Sequence, residues 1–226
     1  MIGGVPMVVR VWQRARLAKL LSRVIVATDD ERIAGVVQKA GGEVLMTSPA
    51  HPSGTDRVAE VAQRVEAEIY LNVQGDLPFV EPADLDALVR AMIDDETLAM
   101  ATLATPITTE EQWRDPNAVK VVCDGRGRAL YFSRSPIPFA REGGLPELAL
   151  KHIGVYGYRR EFLLRFAALK PSRLEQVEKL EQLRALENGY PVAVVKTARP
   201  SLEVDCEADL RRAEGWAAAA GTYGEQ

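Results

Sequence analysis

Cysteine is scarce in this sequence. Of 226 residues only Cys123 and Cys206 carry a thiol, and they form no CxxC pair. Neither a disulfide framework nor a zinc site is therefore indicated. Long apolar runs are missing too, and none reaches the length of a membrane span. Nor is there a strong excess of one charge sign. A net charge of −4 gives no reason to expect nucleic acid or an anionic membrane as partner. An anionic substrate would have to be held by a local basic cluster or a metal. The opening MIGGVPMVVRVWQRAR lacks the basic head, apolar stretch and small-residue cleavage site of a secretion signal, so a cytoplasmic location is expected.

What is present suits a packed globular chain. Hydrophobic residues make up 47% and charged residues 27%, an ordinary balance for a chain that buries a core. The length allows one large domain or two small ones. Residues 6 to 20 have helical spacing, with Pro6 near the start. RVIVATDD is a short β-branched run ending in a loop. DERIAGVVQKAGG follows as a helix with a Gly41-Gly42 stop. EVLMT is a strand, and SGTDRVAEVAQRV is a helix opening on small capping residues. EIYLNV is a strand leading into QGDLP, and PADLDALVRAMI is a further helix. This alternation predicts parallel βαβ units, hence an α/β fold with a Rossmann-like, mostly parallel sheet flanked by helices.

The second half differs. LAMATLATPI, NAVKVVCD, GRALYFSRS and LKHIGVYGY read as closely spaced strands, with DGRGR as a hairpin turn. They predict a β-rich insertion. LEQVEKLEQLRALENG reads as one amphipathic helix ending at Gly189, PVAVVKT as a late strand and EADLRRAEGWAAAA as a closing helix. The tail GTYGEQ is expected to be frayed.

In a parallel sheet, ligands bind at the carboxyl ends of strands. That gives Asp76, in the loop after EIYLNV, a meaning beyond a turn. Asp205 in EVDCEADL follows a short extended piece and precedes a helix; the simpler reading is a helix N-cap. If the two carboxylates met, they would suit Mg²⁺, which is usually held by one or two carboxylates plus water and phosphate oxygens. ATDD and HPSGTDR are further loops at strand ends, where Ser53, Thr55 and Arg57 either contact a nucleotide or cap and solvate a helix start. His152 and Tyr156 are four apart and share a strand face. A lone histidine is more often a satisfied structural residue. Arg134, among apolar neighbours, needs an anionic partner if buried. Glu181 and Gln182 either point into a site or lie on a solvated helix face.

VIVATDD, SGTDR, NVQGD, MATL, NAVKVV, ALYFSRS.IP, KHIGVYGYR, LE..EKLEQLR and VD...DL occur in this order. Together they resemble the 3-deoxy-manno-octulosonate cytidylyltransferases over nearly the whole chain. The resemblance implies a single domain over 1–226 of the nucleotide-diphospho-sugar transferase type, with the β-rich insertion at about 117–158 for substrate and dimer contacts. It implies transfer of CMP from CTP to the anomeric hydroxyl of 3-deoxy-D-manno-octulosonate (Kdo), releasing pyrophosphate, for lipopolysaccharide synthesis. Asp76 and Asp205 resemble the Mg²⁺ ligands and, with Arg134, the catalytic set. Gln74, His152, Tyr156, Glu181 and Gln182 resemble the sugar-acid site, and Ser53, Thr55 and Arg57 part of the cytidine side. A homodimer is implied, with no nucleic-acid or membrane partner.

Two neighbours of these aspartates depart from the family. Leu77 stands where the family typically has an acid, and Cys206-Glu207 stands where it has Thr-Pro, which leaves room for a Kdo variant as the sugar. The family also opens with a β-strand and a glycine- and arginine-bearing triphosphate loop; MIGGVPM resembles the stretch just after it. A nucleotidyltransferase for another sugar acid, such as sialic acid, and a non-catalytic truncated homologue compete with the Kdo reading.

Overall fold

The computed structural model describes residues 1–199 and 202–221; of the expected frayed tail, 221–226, Gly221 is helical and the rest lies outside the described residues. In chain order the elements are α1 (Met7–Ala15), β1 (Ile25–Thr28), α2 (Glu31–Lys39), β2 (Glu43–Met46), α3 (Gly54–Arg64), β3 (Ile69–Val73), α4 (Pro82–Asp94), β4 (Met100–Pro106) and α5 (Glu110–Arg114). Then come β5 (Lys120–Cys123), β6 (Ala129–Ser133), β7 (Leu150–Arg159), α6 (Arg160–Ala168), α7 (Arg173–Glu178), α8 (Leu183–Glu187), β8 (Val192–Lys196) and α9 (Glu207–Gly221). No helix among the described residues is long and apolar enough to cross a membrane. The chain divides into two compact units, one of residues 1–61, 73–86 and 200–226, the other of residues 62–72 and 87–199.

The first unit contains the parallel pair β1–β2. α2 shows how local chemistry sets its ends. The Asp30 carboxylate accepts the Arg32 N–H at 2.7 Å, which caps the start. At the other end Gly41 takes φ +84°, and the Gly41 and Gly42 N–H groups reach the Gln38 and Val37 carbonyls, both at 2.9 Å. This is a Schellman closure, and it needs a residue that tolerates the left-handed region. A second core packs buried Ile2, Leu202 and Ala213 with Met7, Phe79, Val204, Leu210 and Ala217.

The second unit holds a six-stranded sheet in the order β6-β5-β7-β4-β8, with β3 also paired to β7. The expected parallel pairing appears at β4–β8. Antiparallel pairing enters through the β-rich segment, at β4–β7, β5–β6 and β5–β7, so the architecture is mixed α/β. The DGRGR hairpin forms as expected: the Asp124 carboxylate accepts the Arg126 and Arg128 N–H groups at 2.8 Å, and Gly127 takes φ +76°. β7 is nearly all buried. Gly157 lets α4 approach it, since a Cβ there would lie 2.6 Å from Met92 Sδ and 3.2 Å from Leu71 Cδ2.

One element differs from expectation. LEQVEKLEQLRALENG is not a single helix; Lys179, at φ 56° and ψ 46°, separates α7 from α8. α7 starts with a capping box between Ser172 and Glu175. It ends at the left-handed Lys179, and its last carbonyl, that of Glu178, accepts the side chain of Arg134. α5 and α6 are additional to the expected elements.

Candidate active site

In the first unit, the loop after β3 carries Gln74 and Asp76. It is pinned by Leu77, which is 1% exposed, and by the Leu77 N–H to the Gln74 carbonyl at 3.4 Å. The Val204 N–H donates to the Asp76 carbonyl at 3.0 Å, so the chain leading to Asp205 is held against this loop. Asp76 Oδ1 is buried and has no hydrogen-bond partner. Its carboxyl is held above the usual carboxylate range, first by burial and then by the nearby charge of Asp205, while a bond to its own backbone acts the other way. The fold therefore brings the two carboxylates near one another.

The N-cap reading of Asp205 does not hold. It is the Asp209 carboxylate that accepts the N–H groups of Asp205 and Cys206, at 3.3 and 3.2 Å. The carboxylate of Asp205 accepts no hydrogen bond among the described residues and is exposed. Two like charges, one with a buried oxygen lacking a donor, form a poor structural arrangement unless a cation joins them. Among the described residues no group of three or more His, Cys, Asp and Glu gathers at one place. A two-carboxylate site of this kind suits Mg²⁺ and does not suit a metal that needs a protein-only cage. The two departures from the family motif also find places. Leu77 belongs to the core, and exposed Cys206 donates its S–H to Asp209 Oδ2 at 3.1 Å.

Also in the first unit, Arg57 is neither solvated nor a free cation. Its guanidinium donates to Thr47 Oγ1 at 2.5 Å and to the Ser48 carbonyl at 3.5 Å, and it pairs with Asp29 Oδ1 at 3.2 Å. It thus ties together the segments that follow β1 and β2. Ser53 caps α3: its hydroxyl donates to Asp56 Oδ2 at 2.6 Å and accepts the Asp56 N–H at 3.2 Å. Thr55 is 1% exposed.

In the second unit, β7 and the broken α7–α8 segment gather the other candidates. His152 and Tyr156 do share a face, with ring centroids 5.4 Å apart. Thr102, opposite them on β4, donates its hydroxyl to the Val155 carbonyl at 2.8 Å and lies 2.9 Å from His152 Nε2. With the Thr102 proton committed, the hydrogen-bond pattern assigns the donor to Nε2. Burial, with Lys151 beside it, pulls the His152 pKa down to about 3. His152 is therefore a neutral, hydrogen-bonded ring and not a cation for an acid group. Tyr156 Oη donates to Gln182 Oε1 at 3.0 Å. Gln182, 2% exposed, has its Nε2 buried with no partner. Glu181 lies 3.8 Å from Arg184, which is itself locked to Glu175 at 2.6 Å.

Arg134 has neighbours the sequence did not disclose. Its Nε donates to the Glu178 carbonyl at 2.8 Å and its Nη1 to the Pro116 carbonyl at 3.0 Å. Lys120 is another such residue. It is fully buried, and its Nζ donates to the Asp115 and Arg134 carbonyls at 2.7 and 2.6 Å. Burial and the Arg134 charge lower its pKa, while Asp115 and Glu178 act the other way. A lysine at the start of a strand carries no sign of burial in its sequence; only the sheet order reveals it.

A family model described as cytidylyltransferase matches residues 1–197. The 3-deoxy-manno-octulosonate cytidylyltransferase of Syntrophotalea carbinolica is 51% identical over 219 residues, covering 93% of this chain and 88% of the relative. That of Geobacter sulfurreducens is 50% identical over 223 residues, with the same coverage of each. A solved CMP:2-keto-3-deoxy-manno-octonic acid synthetase complexed with CTP superposes with a TM-score of 0.91 at 42% identity, over 97% of this chain and 90% of that one. A 4-diphosphocytidyl-2C-methyl-D-erythritol synthase from Anaerococcus prevotii, at 12% identity and a TM-score of 0.64 over 96% of this chain and 87% of that one, shares the fold.

Proposed function

This chain belongs to the cytidylyltransferase family, and we propose that it transfers CMP from CTP to the anomeric hydroxyl of Kdo, releasing pyrophosphate for lipopolysaccharide synthesis. The observation that carries the reading is the half-identity, over nearly the whole chain, to relatives named for that activity. The single-domain reading of 1–226 is part of the same proposal.

Both substrates are anions, so charge must be offset and the approach fixed. Asp76 and Asp205 would hold Mg²⁺, which would offset triphosphate charge and polarise the α-phosphate when bound. The buried, unpartnered Asp76 Oδ1 supports this. Arg57 keeps the segments after β1 and β2 at a fixed spacing through Asp29, Thr47 and Ser48. That presents Ser53 and Thr55, at the start of α3, to the nucleotide. Arg134 spends Nε and one Nη1 proton on backbone carbonyls, and its remaining N–H groups meet the sugar carboxylate. Gln182 Nε2, lacking a partner, donates to a sugar hydroxyl, with Glu181 and Tyr156 around the same sugar. Gln74 is assigned to the sugar acid by the family resemblance alone. His152, neutral, serves by holding the Tyr156 ring. The anomeric oxygen forms a bond to the α-phosphorus, the bond to pyrophosphate breaks and the hydroxyl proton passes to solvent. No covalent enzyme intermediate is needed.

A cytoplasmic homodimer completes the proposal. Its contact is the β-rich segment, where Leu130, Phe139 and Leu148 are 63%, 83% and 74% exposed; sedimentation should give twice the chain mass. The function is tested by pyrophosphate release with each of the four nucleoside triphosphates against Kdo and sialic acid, with and without Mg²⁺. Turnover is expected with CTP, Kdo and Mg²⁺ together. Faster turnover with sialic acid than with Kdo would refute the assignment of the sugar.

A further inference from the structure

Besides Tyr156 and His152 on β7, the proposed sugar-acid residues of the second unit come from two stretches, Arg134 after β6 and the Glu181–Gln182 pair between α7 and α8. One side chain joins them. The Glu178 carboxylate accepts the Ser133 hydroxyl at 2.7 Å, the Arg134 backbone N–H at 2.9 Å and, more distantly, the Tyr131 hydroxyl at 3.4 Å. The Glu178 carbonyl accepts Arg134 Nε at 2.8 Å. Glu178 thus grips Arg134 twice, once at its backbone and once at its guanidinium. On the other side of Glu178 the chain turns through left-handed Lys179 and delivers Gln182 to the start of α8, where it meets Tyr156.

These contacts are directional and charge-assisted. A carboxylate that accepts three donors from the end of β6 fixes that end against the end of α7. Lys120 completes the clamp from below, since its buried ammonium holds the Arg134 carbonyl. Arg134 is therefore held at its N–H, its carbonyl and its guanidinium by groups that do not face a substrate. The left-handed residue has a reason here too. With Lys179 left-handed, the Glu178 carbonyl lies at the helix end, open to Arg134 Nε.

We infer that Glu178 is a positioning residue for sugar-acid recognition, coupling Arg134 to the Glu181–Gln182 pair. The inference rests on the reading that these residues meet the sugar acid. It assigns Glu178 no contact with substrate. Its effect must pass through Arg134, which makes it separable from a general contribution to stability.

The test is steady-state turnover of the full chain, with Kdo varied at saturating CTP and then CTP varied at saturating Kdo. Glu178→Gln keeps the shape and removes the charge. It should raise KM for Kdo about tenfold, leaving KM for CTP within about twofold. On an Arg134→Ala background the same change should add less than about twofold, because its route is already gone. Equal rises in both KM values, or a fully additive effect on that background, would overturn the inference. Should Glu178→Gln fail to fold, Ser133→Ala takes its place, removing one of the donors that orient the Glu178 carboxylate toward the Arg134 N–H and so loosening its grip. It should raise KM for Kdo about two- to threefold with CTP unaffected, and no change in KM for Kdo would overturn the inference. Arg134→Ala alone separates the two layers. If it leaves KM for Kdo unchanged, the placement of Arg134 at the sugar acid fails. If it weakens Kdo while Glu178→Gln does not, only the role of Glu178 fails.

Discussion

The buried histidine of the proposed sugar-acid site makes a prediction that can be worked from the structure. His152 is 6% exposed and neutral, and its pKa falls from 6.5 to about 3, by burial first and then by Lys151. In the unfolded chain it regains its ordinary value. Between those two values the unfolded state binds a proton that the native state refuses, so stability is full above the unfolded pKa and is lost as pH falls toward the folded one. The whole displacement corresponds to ~5 kcal/mol, of which ~2 kcal/mol is lost by about pH 5. That is a large part of a typical domain's margin of about 5–15 kcal/mol. The perturbation is His152→Gln, which keeps a donor near Thr102 and cannot titrate. Urea unfolding of parent and variant at about pH 7 and about pH 5 isolates the contribution, because carboxylates common to both cancel in the difference. The stability gap should move by ~2 kcal/mol in favour of the variant at the lower pH. Parallel pH profiles would mean that folding leaves the His152 pKa unshifted, so that the ring takes up a proton in the native state as pH falls through its ordinary value.

Further expectations follow from the same packing and charges. Gly157→Ala places a methyl 2.6 Å from Met92 Sδ and should cost about 1–3 kcal/mol in denaturant unfolding; an unchanged midpoint would show that α4 has room to move. Asp76→Asn removes a buried charge whose pKa is raised by burial and by Asp205, so it should raise the melting temperature at neutral pH while lowering turnover by about 10²-fold or more. The sign follows from linkage: a carboxyl with a raised folded pKa stabilises at low pH, and that stabilisation is lost as pH rises through the folded value. Mg²⁺ should raise the melting temperature of the parent and much less that of Asp76→Asn. A variant both unstable and still stabilised by Mg²⁺ would contradict the role given to Asp76.

Much of the fold was legible because its signals are local. The Gly41-Gly42 stop, the DGRGR hairpin and the strand–helix alternation of the first half each need only neighbours in sequence. What could not be read depends on partners far along the chain. α7 ends at left-handed Lys179, with the Glu178 carbonyl and carboxylate taken by Arg134, 44 residues earlier; helical periodicity through LEQVEKLEQLR gives no hint of that. α6 was hidden because β7 runs directly into it at Arg159–Arg160, with no glycine or proline between them. α5 is a single short turn, capped by Thr109. At the candidate site, the meeting of Asp76 with Asp205 was open on residues alone and suggested only by ordered motifs. Arg57 offered two readings, solvent or nucleotide, and the structure gives a third, a tie to Asp29, Thr47 and Ser48. The neutrality of His152 follows from its burial and then from Lys151, and its hydrogen-bond partner Thr102 reaches it only through the pairing of β4 with β7.

The proposed reaction turns on one bond, formed between the anomeric oxygen of Kdo and the α-phosphorus of CTP. Phosphorus NMR of the purified chain with CTP, Kdo and Mg²⁺ observes that bond directly. The triphosphate signals should decline while a CMP–sugar diester signal and pyrophosphate grow in equal amounts, and omitting Kdo should leave CTP intact. Pyrophosphate appearing without the diester, or a diester forming with sialic acid in preference to Kdo, would contradict it.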